Sequence, residues 1–305
     1  MGVVRLAIVC GPTAAGKSSL ALTLAEGCGL GIVSADSRQV YRGFDIGTAK
    51  PSAEERARVP HAGIDVADPT DRYSAARWMD AFEAWREAIE GAGRRALVVG
   101  GTGLYLRTLT EPLFEEPPLD PEARRALDRE LQSLTLDALR ARCQALDPAR
   151  AHLGRTQLLR AIEVAMLTGR PISDWHRERA REARYEARYL LVDPGVSTLH
   201  ARIVQRVDAM LDAGWVEEVR ELMRHVPPDA SAWNATGYDA IRQVVAGTLS
   251  LAGAREQVII ATRQYAKRQR TWFRHQLPAA NVVHVDPTDS SAPQRALAWY
   301  QDVTR

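Results

Sequence analysis

Residues 11–18 read G-P-T-A-A-G-K-S, a complete G-x-x-x-x-G-K-[ST] phosphate-binding loop. An apolar run of strand type, 3–10, precedes the loop, and helical spacing over 18–27 follows it. Backbone N–H groups at the start of such a helix converge on anionic oxygens, while Lys17 supplies a charge and the Ser18 hydroxyl can ligate Mg²⁺. The segment therefore predicts a polyphosphate site, and a plain glycine-rich turn is the weaker alternative.

A carboxylate, Asp36, follows the second apolar run, 30–35. At the end of a buried strand it would face the phosphate-binding loop, where it could bind Mg²⁺ or accept a proton from a nucleophile. Residue type alone leaves a solvated loop aspartate equally open.

The third apolar run ends in Gly100-Gly101-Thr102, where an ATP-hydrolysing phosphate-loop protein usually has a Mg²⁺-organising aspartate. We expect these glycines to let a bulky ligand approach the backbone closely. The segment argues against a nucleotide hydrolase, although another strand could still supply the aspartate.

Basic and aromatic side chains are interleaved near the C-terminus, over 262–275. Three- and four-residue spacings place the basic ones on one helix face: Arg263, Lys267, Arg270 and Arg274. Such a face suits a nucleic-acid backbone and its exposed bases, and a solvated helix face is the equal alternative. Arg202 and Arg206, four residues apart, are candidates either to bind phosphate or to be surface charges.

The elements that must position these residues alternate between strand and helix. Apolar runs at 3–10, 30–35 and 96–99, with a weaker one at 63–66, predict core strands, and 74–91 predicts a helix capped by Ser74. Further strands are predicted at 189–192 and 281–285, and long helices at 197–222 and 251–274. This order predicts an α/β fold, a doubly wound parallel sheet like that of the P-loop NTPases, with ligands at the carboxyl ends of the strands.

The amino-acid composition changes after Leu109. Residues 111–121 are proline-rich, and from there to Arg188 the chain is rich in Ala, Arg, Glu and Leu with helical spacing. We therefore expect a first part of the P-loop core over 1–111, a helical insertion domain over 112–188, and a second part of the core over 189–305.

Bulk composition excludes several classes of protein. The 305 residues carry a net charge of only +2, so a nucleic-acid partner must be recognised by a local basic surface. The three cysteines lie far apart and form no metal-binding pattern. Since no apolar stretch approaches the ~20 residues of a membrane span and no leader segment precedes the loop, we expect a cytoplasmic protein without membrane contact.

Five segments match one known family in order, namely G-P-T-A-A-G-K-S, D-S-R-Q-V-Y-R-G-F-D-I-G-T-A-K-P, V-G-G-T-G-L-Y, R-A-I-E-V and A-T-R-Q-Y-A-K-R-Q-R-T-W-F-R. Together they resemble the tRNA dimethylallyltransferases, also called tRNA isopentenyltransferases, over nearly the whole chain. We expect the bacterial form, without the C-terminal zinc finger of some relatives.

The resemblance implies transfer of a dimethylallyl group from dimethylallyl diphosphate to the exocyclic amine of the adenosine just 3′ of the tRNA anticodon, with release of diphosphate. It implies Mg²⁺ as cofactor, with Ser18 as its ligand. Catalytic roles are implied for Asp36, as general base, and for Thr13 and Arg206. The implied diphosphate-binding residues are Gly11, Pro12, Thr13, Ala14, Ala15, Gly16, Lys17, Ser18 and Arg206.

The same resemblance implies a tRNA partner that is held by its anticodon stem-loop, with the target nucleotide flipped out of its stack. The helical insertion would hold the stem-loop, and we expect a monomeric enzyme. The implied tRNA contacts are Asp36, Ser37, Arg38, Gln39, Thr102, Arg124, Thr156, Gln157, Leu158, Leu159, Arg160, Lys267, Arg270 and Arg274.

Two positions depart from the family pattern. Gln157 stands where an arginine is usual, with Arg155 as the candidate substitute, and Asp239 stands where a basic residue is common. Three rival functions remain at this level: a small-molecule or nucleotide kinase, an adenylate dimethylallyltransferase acting on free AMP, and a non-catalytic tRNA-binding protein. The glycines at 100–101 argue against a kinase. The helical insertion and the basic helix argue against an enzyme that acts on free AMP, and Asp36 and Lys17 argue against a non-catalytic protein.

Overall fold

The structure, a computed structural model, describes residues 4–111, 119–178 and 185–305. It divides into two units, one of Met1–Thr110 with Arg184–Arg305 and the other of Glu111–Ala183. The predicted boundary at residue 112 lies outside the described residues.

Six strands of the first unit form one parallel sheet in the order β3-β2-β4-β1-β5-β6. The strands are β1 (Val4–Cys10), β2 (Leu30–Ala35), β3 (His61–Ala62), β4 (Arg95–Gly100), β5 (Tyr185–Val192) and β6 (Val282–Val285). The α/β fold class is confirmed, with the sheet of the P-loop type.

Helices follow most of the strands and make up the second unit. They are α1 (Lys17–Cys28), α2 (Ala53–Arg58), α3 (Ala75–Gly91), α4 (Gly103–Thr110), α5 (Pro121–Gln132), α6 (Leu136–Leu146), α7 (Arg155–Thr168), α8 (Ile172–Glu178), α9 (Val196–Asp212), α10 (Trp215–His225), α11 (Tyr238–Val245), α12 (Leu251–Gln276) and α13 (Ala292–Val303).

The register of the sheet brings its central strands to one carboxyl edge. Cys10 of β1 lies opposite Gly100 of β4 and Leu191 of β5, and Gly100 lies opposite Ala35 of β2. The residues that follow these strands therefore meet at one edge. They include the phosphate-binding loop and Asp36.

Strand β5 begins at Tyr185, four residues before the predicted strand. Its first half alternates buried Tyr185 and Ala187 with partly exposed Glu186 and Arg188, which form an ion pair of 2.6 Å. Only the second half is continuously buried, as central parallel strands usually are, so only that half stood out as an apolar run.

The weak strand predicted at 63–66 is wrong in position. The pairing of β3 ends at Ala62, because Gly63 has φ 75° and Asp65 has φ 58°, values that turn the chain away from the sheet. The Asp65 N–H instead donates to the carbonyl oxygen of Gln39 at 3.1 Å.

The single helix predicted over 197–222 is two helices. Helix α9 ends at Asp212, and Gly214, with φ 94°, redirects the chain before α10 begins at Trp215. The helices predicted at 74–91 and 251–274 are confirmed, and the Ser74 and Ser250 side chains accept hydrogen bonds from backbone N–H groups of their first turns.

The helical unit has its own apolar core. Buried leucines from α5, α6 and α7 form it together with Ile162 and Ile172. Fully buried Asp147 accepts hydrogen bonds from the N–H and hydroxyl of Ser173, which fixes the start of α8. Across the parts of the chain that the structure describes, no helix is both long and apolar enough to cross a membrane.

The contact between β2 and β4 makes a test of this arrangement. A Cβ at Gly100 would overlap the carbonyl oxygen of Ala35. We expect Gly100→Ala to lower the free energy of unfolding by ~1–3 kcal/mol, as overpacking usually does. Urea titration followed by circular dichroism measures it.

Gly27→Ala is the matched control. Gly27 is exposed within α1, and nothing lies within 4 Å of an added Cβ there. Alanine should raise the free energy of unfolding by ~0.5–1 kcal/mol at such a position. Equal effects of the two substitutions would contradict the close β2–β4 contact.

Candidate functional site

The phosphate-binding loop has a backbone that few residues tolerate. Gly11 has φ 149°, and a Cβ there would overlap the carbonyl oxygen of Val192. Ala14 and Gly16 have φ 60° and 96°. This strained course folds the loop around one concavity in front of α1, where backbone N–H groups can bind an anion.

Two basic side chains, one beside the loop and one on α9, donate hydrogen bonds to carbonyl oxygens of the loop. The Lys17 ammonium donates to the Pro12 oxygen at 2.7 Å, and the Arg202 guanidinium donates to the Ala15 oxygen at 2.9 Å. Arg202, a candidate phosphate ligand, therefore braces the loop. Arg206, one turn further along α9, lines the cavity beside Lys17.

Burial and a neighbouring cation weaken the proton affinity of Lys17. Burial, with a smaller contribution from the Arg206 charge, lowers its pKa to about 8, although Asp36 and Cys10 oppose the shift. Burial also lowers the pKa of Arg206, against the Asp36 charge. Two cations in a poorly solvated place favour a bound anion of more than one charge.

A cavity of about 420 Å³ lies at the carboxyl edge of the sheet in front of the loop. Phosphate-binding groups and a carboxylate line the same space. The predicted site residues among its lining are Thr13, Lys17, Ser18, Asp36, Arg38, Gln39 and Arg206. Apolar side chains, Ile203, Val207, Met210 and Val258, line it as well. An amphipathic ligand with a polyphosphate end fits this combination.

Asp36 sits in a hydrogen-bonded turn directly after β2. One carboxylate oxygen accepts the Arg38 N–H at 2.8 Å, and the adjacent Ser37 N–H donates to the Thr102 hydroxyl oxygen at 2.9 Å. The Thr102 N–H donates to the Ala35 oxygen at 3.1 Å, so the ends of β2 and β4 are joined at this point. The second carboxylate oxygen of Asp36 is the group that can take a proton.

The glycines at the end of β4 make close contacts within the protein, and Gly100 and Gly101 also line the cavity, so the expectation that they admit a ligand stays a prediction. A Cβ at Gly103 would overlap the Trp272 ring, and one at Gly101 would lie 2.5 Å from the Gln269 amide nitrogen. Backbone at this edge is packed against helix α12.

Gln269 of α12 was missed by sequence reasoning. Its amide oxygen accepts the Thr13 N–H at 2.8 Å, and its amide nitrogen donates to the Gly101 oxygen at 2.8 Å. The available signal was its place between Ala266 and Phe273 on the buried face of the helix, where an amide needs partners. Tyr265, one turn before, lines the cavity, and burial raises its pKa to about 12, helped by the Asp36 charge.

The segment 45–50 is held by Glu218 and Lys50, two further residues missed from the sequence. The Glu218 carboxylate accepts the N–H groups of Asp45 and Ile46 at 2.9 and 2.6 Å and the Tyr238 hydroxyl at 2.7 Å. The side chain of Lys50, which is 2% exposed, pairs with Asp45 and Asp65 at 2.6 Å each. These contacts fix one wall of the cavity.

The basic face predicted on α12 is divided between two roles. Lys267 and Arg274 are exposed, whereas Arg270 forms an ion pair of 2.7 Å with Asp193. Asp193 follows β5 and is the aspartate that another strand could supply, but it is engaged with Arg270 and does not line the cavity.

The predicted tRNA contacts of the helical unit differ in accessibility. Thr156 and Gln157 are exposed, Leu159 is partly buried, and Leu158 is fully buried, so the Leu158 side chain serves the core. Arg124 and Arg160 both donate to the carboxylate of Glu163, which is 6% exposed.

Arg155, the candidate substitute for the missing arginine, donates to the carbonyl oxygens of Leu134 and Gln132 at 2.8 Å each. It therefore secures the end of α5. Gln157 in turn accepts the Gly154 N–H at 3.1 Å and caps α7.

Within the described ranges, no group of three or more His, Cys, Asp or Glu side chains could hold a metal ion. A Mg²⁺ that is bound mainly by phosphate oxygens needs only one or two protein ligands. The exposed Ser18 hydroxyl and the Asp36 carboxylate line the same cavity and fit that requirement.

Known proteins are similar in sequence to this chain over most of its length. The family profile of IPP transferase matches residues 39–276, and that of isopentenyl transferase matches residues 4–60. A tRNA dimethylallyltransferase of Geobacter sulfurreducens is 44% identical over 302 residues, and the alignment covers 97% of each chain. One of Gloeobacter violaceus is 44% identical over 279 residues, with 88% of this chain and 89% of the relative covered.

Solved structures share the fold. A tRNA delta(2)-isopentenylpyrophosphate transferase of Staphylococcus epidermidis superposes with a TM-score of 0.69 at 29% identity, over 99% of both chains. A eukaryotic dimethylallyltransferase acting on tRNA superposes with a TM-score of 0.81 at 26% identity, over 99% of this chain and 79% of the other.

The lowered pKa of Lys17 predicts how anion binding depends on pH. The protonated ammonium attracts the anion, and its population falls as the pH rises through about 8. We expect the affinity for inorganic diphosphate to fall by roughly tenfold per pH unit above that point. Isothermal titration calorimetry measures it.

Lys17→Met provides the comparison, because the ionisation of diphosphate itself affects both proteins equally. The ratio of wild-type to variant affinity should shrink as the pH rises through about 8. A ratio that stays constant over this range would show that the Lys17 ammonium does not bind the anion.

Proposed function

The chain belongs to the IPP transferase family of tRNA dimethylallyltransferases, and on that premise we propose that it transfers a dimethylallyl group from dimethylallyl diphosphate to the exocyclic amine of the adenosine 3′ of the anticodon. One observation carries the proposal. A single cavity brings the anion-binding groups Lys17 and Arg206 together with the carboxylate of Asp36 and with apolar walls. A prenyl diphosphate and a nucleophilic amine are the reactants that such a cavity suits.

In the proposed reaction, the adenosine nitrogen attacks the first carbon of the dimethylallyl group, and the bond from that carbon to the diphosphate oxygen breaks. Asp36 accepts the proton that the amine loses. Lys17, Arg206, the Thr13 side chain and the loop N–H groups bind the diphosphate as negative charge develops on it. Lys17 and the loop are held in position before the reaction, because Lys17 and Arg202 donate hydrogen bonds to loop carbonyls.

Mg²⁺ is proposed as the cofactor. When bound, it would neutralise charge on the leaving diphosphate, with Ser18 as the protein ligand and Asp36 close enough to share the cavity. The remaining ligands would be phosphate oxygens and water.

The anticodon stem-loop is proposed as the part of tRNA that is bound. Exposed Lys267 and Arg274 on α12, and exposed Thr156 and Gln157 on α7, offer charges and hydrogen bonds to the RNA backbone. Ser37, Arg38, Gln39 and Thr102 would contact the flipped nucleotide next to Asp36. We further propose that the enzyme works as a monomer in the cytoplasm, where its tRNA substrate is found.

The decisive experiment is a reaction with defined reactants. The purified protein is incubated with Mg²⁺, dimethylallyl diphosphate and unmodified tRNA that carries adenosine 3′ of the anticodon, and the digested nucleosides are analysed by mass spectrometry. Appearance of dimethylallyladenosine at that position supports the proposal. An unmodified adenosine, with ATP consumed in the presence of a small acceptor, would favour a kinase instead.

Substitution of the proposed base tests the mechanism. Asp36→Asn keeps the oxygen that accepts the Arg38 N–H but removes the basic group. We expect kcat to fall by ~10²–10⁴, the usual contribution of a general base, while the Kd for tRNA stays within a factor of about three. Asp302→Asn, an exposed carboxylate on α13, should leave both quantities unchanged. Wild-type kcat in the Asp36 variant would remove Asp36 from the chemistry.

The exposed cations of α12 are tested by salt dependence. Replacing both Lys267 and Arg274 with glutamine should weaken tRNA binding. The plot of log association constant against log salt concentration should become less steep by ~1.4, the value for two contacts to single-stranded RNA. Filter binding at several salt concentrations measures the slope.

A matched pair on α10, Arg220 and Arg224, removes the same charge from another surface. Both already pair with glutamates one turn away. If this double glutamine variant changes the slope as much as the first, the effect is one of net charge and α12 is not the RNA surface.

A further inference from the structure

Gln269 links three elements at the carboxyl edge of the sheet. It lies in the C-terminal third of α12 and is 8% exposed, yet it lines the cavity. Its amide bonds to the backbone of Thr13, in the phosphate-binding loop, and of Gly101, directly after β4. A backbone N–H can only donate and a carbonyl can only accept, so these two partners determine which end of the amide faces which element.

The two partners of Gln269 belong to opposite sides of the proposed reaction. Thr13 is on the side of the leaving diphosphate. Gly101 precedes Thr102, which accepts the Ser37 N–H next to Asp36 and so belongs to the side of the attacking amine. The planar amide therefore bridges the loop proposed to bind the leaving group and the backbone that leads to the turn of the proposed base.

Packing around the amide leaves it little freedom. A Cβ at Gly101 would lie 2.5 Å from the Gln269 nitrogen. The neighbouring helical residues Ala266 and Phe273 are buried, which fixes the helix face from which the side chain extends. A side chain held in this way connects α12 to both the phosphate-binding loop and the backbone after β4.

We propose that Gln269 is a positioning residue that sets the distance between the diphosphate-binding loop and the Asp36 turn. This inference rests on the proposed prenyl transfer. It assigns the amide no contact with the reacting atoms. Because reaction rates depend steeply on the alignment of reactants, loss of the amide should affect the chemical step more than the binding of either substrate.

Gln269→Leu tests the inference, since it keeps the size of the side chain and removes both hydrogen bonds. We expect the single-turnover rate to fall by ~10²-fold, the effect of misalignment of about 1 Å, while the Kd values for dimethylallyl diphosphate and tRNA change less than about threefold. Gly101→Ala displaces the same amide from the other side and should produce the same separation of rate from binding. Gln257→Leu, at an exposed position of α12, is the matched control and should behave as the wild type.

The outcomes distinguish the possible failures. Wild-type single-turnover rates in both variants overturn the positioning role. Equal losses of rate and of affinity also overturn it, because they indicate a general disturbance of the site. If the wild-type protein itself forms no dimethylallyladenosine, the proposed function fails, and the inference that rests on it fails with it. If the wild-type protein is active and Gln269→Leu is equally active, the inference alone is overturned.

Discussion

The site depends on the parallel register of β1, β2, β4 and β5, which ends these strands at one level. Cys10, Ala35, Gly100 and Val192 are the last residues of the four strands, and the loop, Asp36, Thr102 and Asp193 follow them. Such a register requires close backbone contact, and glycine is needed at Gly11 and Gly100, where a Cβ would overlap a carbonyl oxygen of the neighbouring segment. Main-chain pairing therefore brings these segments to the same edge of the sheet, and side chains act within that arrangement.

A second layer of polar contacts holds the loops that the sheet presents. Gln269, Arg202 and Glu218 each bind backbone atoms of a segment distant in sequence. None of the three is an exposed charge awaiting a ligand, and each satisfies main-chain groups at the site's boundary. Among the described residues, the charged groups Lys17, Arg206 and Asp36 line the cavity, so cations and a carboxylate face the same space.

Sequence patterns predicted the fold well where burial is continuous and poorly where it alternates or where a glycine turns the chain. The strands β1, β2 and β4 were apparent as apolar runs, whereas the first half of β5 was hidden by Glu186 and Arg188. Lys17 and Asp36 line the cavity from segments that follow β1 and β2, so motif and topology together sufficed for these two residues. The hydrogen bonds by which Gln269 and Glu218 hold the loops around the cavity could not be predicted. They depend on which helix packs against the edge of the sheet, and spacing along the chain does not contain that information.

The hydrogen bond between Lys17 and the carbonyl of Pro12 has a consequence for the contacts that the ammonium group can make with an anion. An ammonium group has three N–H donors, and the Pro12 oxygen takes one of them. Two donors therefore remain for phosphate oxygens, and the bond to Pro12 limits the directions in which they point. The Lys17 side chain can thus connect the start of the loop to an anion while it keeps its contact with Pro12.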